Sequence, residues 1–99
     1  MWYMVIGRDN ADSLARRATV REQHLARVQA LCDQGRVLTA GPLPAIDSPD
    51  PGPAGFIGSL MVVEFPDLGQ ATTWAQQDPY LEAGAWTEVE VHPYKEVLP

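Results

Sequence analysis

Two segments, Trp2 to Arg8 and Ile57 to Phe65, carry runs of consecutive apolar residues (Trp2 to Ile6 and Leu60 to Val63) instead of alternating ones. A strand with one wet face alternates, whereas a strand covered on both faces reads as a near-continuous apolar run. Trp2, Met4 and Ile6 oppose Tyr3 and Val5, and Leu60 and Val62 oppose Met61 and Val63. A chain of 99 residues has room for one domain and one core of ordinary size. Both runs therefore have to sit in the middle of the same sheet.

The segments between and after them supply the rest of the fold. Asp9 to Ser13 is a turn rich in residues that cap helices, and 13–34 reads as a helix of about six turns. Leu14, Ala18, Arg21, Leu25, Val28 and Cys32 recur at steps of three and four, which defines the face expected to meet the core. Gly35 follows at the position where a left-handed residue ends a helix. Residues 36–41 form a short strand closed by Gly41-Pro42. Five of the nine prolines then fall between 42 and 55, which predicts an exposed loop. After the strand 57–65, Asp67 and Gln70 have capping-box spacing for a second helix. That helix ends near Asp78-Pro79, because a residue before proline avoids helical geometry. Pro79 to Gly84 forms one further turn with Asp78 as its N-cap. Trp86 to Tyr94 is the last strand, with Thr87, Val89 and Val91 on one face and Trp86, Glu88, Glu90 and His92 on the other.

The order β-α-β-β-α-β is the split βαβ, ferredoxin-like α+β motif. Two helices cover one face of a four-stranded antiparallel sheet, and the first and third strands are central. Those are the two doubly apolar runs. Nothing else in the sequence is left to cover the second face, so it is expected to pack against a second copy in a homodimer. The alternative is a monomer with a partly exposed sheet.

The net charge of −6 argues against nucleic acid, which asks for a basic face. Residues 1–36 nevertheless carry six basic and four acidic side chains, a net of +2, against −8 for 37–99. A small anion therefore finds positive charge beside the first helix. No apolar run approaches the ~20 residues that span a bilayer, and the N-terminal run lacks the basic start and cleavage site of a signal peptide. The expected location is cytoplasmic. A lone Cys32 permits neither an internal disulfide nor a thiolate metal site and reads as a small core residue.

The candidates for chemistry are few. His24 projects among Val20, Leu25 and Val28, and imidazole is the side chain suited to proton transfer near neutral pH. Arg21 lies three residues away, so both occupy one side of the helix. A guanidinium in a core-facing row has to be paired or border a cavity. Asp78 at a helix start is held by backbone N–H groups, which makes it a good orienter for an imidazole. Helices side by side on the sheet can bring His24 and Asp78 together, or the two can simply clamp the helices. Ser59 lacks a nucleophile elbow. His92 beside Glu90 is expected to face solvent. Two histidines without close ligand spacing make a poor metal site, and no Gly-rich phosphate loop precedes a helix. No metal and no cofactor is expected.

Taken together, Arg21-Glu22-Gln23-His24-Leu25, Arg36 through Leu43 (RVLTAGPL), Gly58-Ser59, Asp78-Pro79-Tyr80 and Gly84 resemble the YciI-like family over nearly the whole chain. The resemblance implies subunits of the dimeric α/β barrel type and a His-Asp pair at His24 and Asp78. It also implies roles for Arg21, Gly41, Pro42, Ser59 and Tyr80, as pocket wall in contact with substrate or as backbone geometry. The Pro-rich stretch 43–57 departs from the family pattern. Most YciI-like proteins have no assigned activity, but the resemblance to a chloride-eliminating relative and to muconolactone isomerase implies proton transfer on a small, oxygen-rich organic molecule without a cofactor. The first expectation is therefore a lyase or isomerase with His24 as general acid or base. An imidazole resting on a carboxylate favours its charged form, so the same pocket can equally bind an anion without reacting. That second expectation is a non-catalytic binding or accessory module.

Overall fold

The computed structural model describes residues 1–99. Strands β1 (Trp2–Asp9), β2 (Val37–Pro44), β3 (Phe56–Glu64) and β4 (Trp86–Tyr94) form one sheet in the order β2-β3-β1-β4. Every pairing is antiparallel. The helices are α1 (Ser13–Asp33), α2 (Leu68–Gln76) and the one-turn α3 (Pro79–Glu82), which follows α2. This is the expected α+β, ferredoxin-like arrangement, with β1 and β3 in the centre.

Register decides what each sheet face carries. Tyr3 pairs with Val63, Val5 with Met61 and Gly7 with Ser59. Tyr3, Val5, Met61 and Val63 lie in one buried cluster with Val28 and Leu31 of α1, Ala71 and Ala75 of α2, and Tyr80 of α3. Fully burying an aliphatic side chain such as Val5 or Val63 contributes about 1.5–3 kcal/mol. Of the alternate positions, Trp2, Met4, Ile6 and Leu60 are only half-buried, while Val62 is buried. They lie on the face turned away from the helices.

The caps follow the local sequence. At the end of α1, Gly35 N–H donates to Cys32 O (2.9 Å) and Arg36 N–H to Leu31 O (3.0 Å). Gly35 has φ +71°, so the helix closes in a Schellman motif that glycine adopts without a Cβ penalty. Asp67 accepts from Gln70 N–H at 2.8 Å. The Gln70 amide returns to the Asp67 carboxylate at 3.3 Å, not to its backbone. Asp78 is extended and accepts from Tyr80 N–H, as the Asp-Pro sequence predicts.

Four sequence expectations fail, each for a physical reason. The buried row of α1 is Ser13, Arg17, His24, Val28 and Leu31, rotated by about one residue, or 100°, from the expected row. Leu14 and Leu25 are 41% and 43% exposed, and Arg21 and Cys32 are exposed. Cys32 is therefore not a core residue, and the row that contains it borders open clefts between α1 and β2.

The second failure concerns β2, which continues through Gly41-Pro42 to Pro44 instead of stopping at residue 41. It is an edge strand, and an edge position tolerates a proline because no ladder bond is lost there. The third concerns the Pro-rich stretch. It is a mostly exposed loop, as expected, but it starts only at residue 45 and holds a 3-10 turn at Gly52–Ala54; Ala45 N–H donates to Gly55 O at 2.9 Å, and Pro51 and Gly55 are buried.

The fourth concerns Trp86, which does not share a face with Glu88, Glu90 and His92. The register shifts between Arg8 and Asp9, so that Arg8 opposes Glu88 while Asp9 opposes Trp86. The irregularity turns the indole inward, where it is 1% exposed. Gly7 makes room for it, since a Cβ there would overlap the Trp86 ring.

Candidate active site

The buried row of α1 places two polar side chains under the sheet, one turned to each end of the same cavity. Towards the N-terminal end, Arg17 donates from Nε to Asp9 Oδ2 (2.7 Å) and from Nη2 to Asp9 Oδ1 (2.8 Å). Its Nη2 also donates to Gly58 O (3.0 Å) and Ser59 Oγ (2.9 Å). Ser13 Oγ adds a bond to Asp9 Oδ2 at 2.6 Å. The bidentate guanidinium–carboxylate pair, with the Ser13 hydroxyl as a third donor, answers the charge of Asp9 inside the protein. The same guanidinium lies 4.9 Å from the Tyr80 ring centroid and 5.1 Å from that of Phe56.

Two turns further along, His24 Nδ1 lies 2.9 and 2.8 Å from the two oxygens of Asp78. A carboxylate only accepts, so Nδ1 carries the hydrogen and Nε2 is left without a protein partner. Asp78 is fully buried, and its Oδ1 takes the Tyr80 N–H at 2.9 Å. The imidazole stacks on Tyr80, centroids 4.0 Å apart and planes 13° from parallel. Trp86 stands edge-on to both rings, at 5.7 and 5.5 Å. Two aromatic rings and one carboxylate thus fix the orientation of His24.

His24, Arg17 and Tyr80 line a cavity of about 360 Å³ between α1 and β2. Of the residues expected to contact a substrate, Arg21, Gly41, Pro42, Ser59 and Tyr80 all line it. Asp78 does not, because it stands behind His24. The remaining wall is apolar, from Leu14, Leu25, Val28, Phe56 and Met61 among others, and no carboxylate reaches it. Arg17 is balanced by Asp9, whereas Arg21 makes no ion pair and sits exposed at the edge of the cavity. Burial pushes the Tyr80 hydroxyl above the usual phenol range, and the nearby Arg17 and Arg21 oppose that rise. A wider cleft of about 610 Å³ adjoins it through Leu25, Val28 and Ala40, but its only ionisable lining groups are Glu22 and Cys32. The basic side chains and the imidazole line the smaller cavity.

Sequence reasoning missed Arg17, Asp9, Arg27 and Trp86. Arg17 precedes His24 by seven residues, which is two helical turns and the same face. That spacing is the signal that would have found it. His92 is exposed, 3.5 Å from Glu90, as expected. No three His, Cys, Asp or Glu side chains group as metal ligands, and no helix is long and apolar enough to cross a membrane.

Residues 1–95 match the model of the YCII-related domain. The chain belongs to the YCII-related family. Within that family, Protein YciI of Escherichia coli O6:H1 is 54% identical over 98 residues, covering 99% of this chain and all of that one. An uncharacterized protein of Haemophilus influenzae is 48% identical over the same length. Among solved structures, the 5-chloro-2-hydroxyhydroquinone dehydrochlorinase of Burkholderia phenoliruptrix, in complex with 2,5-dihydroxybenzoquinone, aligns with a TM-score of 0.80. The alignment covers 96% of this chain and 94% of that one at 24% identity. The YCII-related chain and this enzyme therefore share a fold.

Proposed function

We propose that this YCII-related protein binds a small, oxygen-rich organic anion between α1 and β2, and that His24 moves a proton on it without a cofactor. The observation that carries this reading is the pairing of His24 Nδ1 with buried Asp78, which leaves Nε2 as the free nitrogen of an imidazole lining a cavity. In the proposed step, a ligand C–H gives its proton to Nε2. The electron pair of that bond moves onto an adjoining oxygen, where the unpaired charge of Arg21 stabilises it. The pair then expels a leaving anion in an elimination, or recovers the proton at another carbon in an isomerisation. Asp78 keeps the Nδ1 hydrogen throughout and steadies the imidazolium. Apolar walls beside a few directed polar groups suit a ligand that is mostly ring or hydrocarbon. A structural neighbour that acts on a chlorinated hydroxyhydroquinone supports the same ligand class.

The protein acts as a homodimer in this reading, joined through the half-buried open face that carries Trp2, Met4, Ile6 and Leu60. A monomer in sedimentation at micromolar concentration would exclude it. A second reading, binding without reaction, is favoured by Arg21, whose free charge beside the imidazole attracts an anion whether or not a proton moves.

One experiment separates the two readings. 2,5-Dihydroxybenzoquinone is added in D2O, and both the His24 imidazole signals and exchange of the ligand's ring hydrogens are followed. Proton transfer predicts a shift of His24 together with exchange that falls about 10²- to 10⁴-fold in His24→Gln. The shift alone supports the binding module. Neither shift nor exchange excludes this ligand class.

A further inference from the structure

Asp78 is held by more than His24. On the same helix, three residues further on, Arg27 points its Nη1 to within 3.4 Å of Asp78 Oδ2. That nitrogen is buried and has no hydrogen-bond partner. The other arm, Nη2, donates to the carbonyl of Trp74 in α2, and the guanidinium lies 4.7 Å from the Trp74 ring centroid. A buried guanidinium nitrogen without an acceptor is costly unless its charge is answered, and the charge it faces is the Asp78 carboxylate. Burial lowers the Arg27 guanidinium from its ordinary value, and the negative charge of Asp78 opposes that fall. One carboxylate thus stands between two cation-forming groups of α1.

The consequence concerns the charge of the imidazole. A carboxylate whose only partner is an imidazole favours a proton on that ring. A guanidinium on the same carboxylate keeps its charge across the physiological range and answers the carboxylate first. We propose that Arg27 is a positioning residue that neutralises Asp78 from the side away from the cavity, so that His24 meets a ligand as an uncharged base. This rests on the reading of His24 as the proton-transfer group. The charged and titratable groups around the ring are Asp78 and Tyr80 from α3 and Arg17, Arg21 and Arg27 from α1. The strands present Ser59, Met61 and Trp86, none of them charged. Arg17 is already matched by Asp9 and Arg21 is exposed, so Arg27 is the cation placed to act through Asp78.

The test is an NMR titration of both imidazoles in the full chain without ligand, with exposed His92 as internal reference. Arg27→Gln raises the His24 midpoint by about one pH unit and leaves that of His92 in place. Arg27→Lys, which keeps the charge, returns most of the shift. A folded Arg27→Gln protein with an unchanged His24 midpoint overturns the proposal, as does an equal shift of His92. Should Arg27→Gln not fold, Trp74→Leu removes the ring under the guanidinium and is expected to raise the midpoint by a smaller step. No change in that variant is equally fatal. Because no ligand is added, this result is independent of whether ligand exchange is ever observed.

Discussion

Asp9 and Asp78 are both carboxylates taken out of water and gripped by α1, with side chains 1% and 0% exposed, yet they are held in opposite ways. Asp9 meets the two-armed fork of Arg17 and the hydroxyl of Ser13. Nη2 of Arg17 also donates to Gly58 and Ser59, so charge and counter-charge close on each other within the protein. Asp78 meets His24, the Tyr80 N–H and a misaligned arm of Arg27, and its chain of contacts ends at Nε2 on a cavity wall. A closed polar network holds structure together, while an open one keeps a nitrogen available. The two sit at either end of one cavity, which separates the residues that hold its shape from those proposed to act in it.

The contrast can be broken experimentally, and the largest effect is expected at the closed end. Arg17→Met leaves Asp9 buried without its counter-charge and is expected to cost about 3–5 kcal/mol of stability in denaturant unfolding. His24→Gln leaves Asp78 with the Tyr80 N–H and Arg27, and is expected to cost only about 1–3 kcal/mol. Equal losses would show that both networks are structural. Ser13→Ala removes one of the donors on Asp9 while the Arg17 fork remains. A loss near 1 kcal/mol is expected, with the His24 titration unmoved, and a moved titration would join the two ends.

The smallest effect is at alkaline pH. Burial raises the Tyr80 phenol above its ordinary value of 10.0, so the folded chain keeps a proton that the unfolded chain releases. The folded state therefore binds more protons above pH 10, and stability falls there as pH rises. Tyr80→Phe is expected to flatten that decline in thermal unfolding measured between pH 9 and 11, relative to the parent chain. An identical slope in both proteins would refute it.

Much of this architecture was legible before any coordinates. Three of the caps were written locally: Gly35 after the last helical turn, Asp67 three residues before Gln70, Asp78 directly before Pro79. The cap-rich turn before α1 was not one of them, since Asp12 makes no side-chain capping bond. The doubly apolar runs named the central strands, and His24 with Asp78 stood out because imidazoles and helix-capping carboxylates are few in this chain. The phase of α1 was not legible. Leu14 and Leu25 read as core because they are apolar, but they line a cavity, and hydropathy does not distinguish the wall of a cleft from the floor of a core. Arg17 was hidden for the complementary reason: a guanidinium looks like a solvent group until the end of a strand supplies Asp9.

The sequence by itself determined the order of elements, their ends and the two faces of the central strands, because periodicity, caps and proline act over a few residues. The tertiary structure decided which arginine is buried, which way Trp86 turns and which groups surround Asp78. Those outcomes depend on a one-residue rotation of α1, on a register shift between Arg8 and Asp9, and on charges that meet only when α1 lies against the start of α3. The free energy of a buried charge is set by its nearest partners, and here those partners lie 8 residues away for Arg17 and Asp9 and 54 for His24 and Asp78.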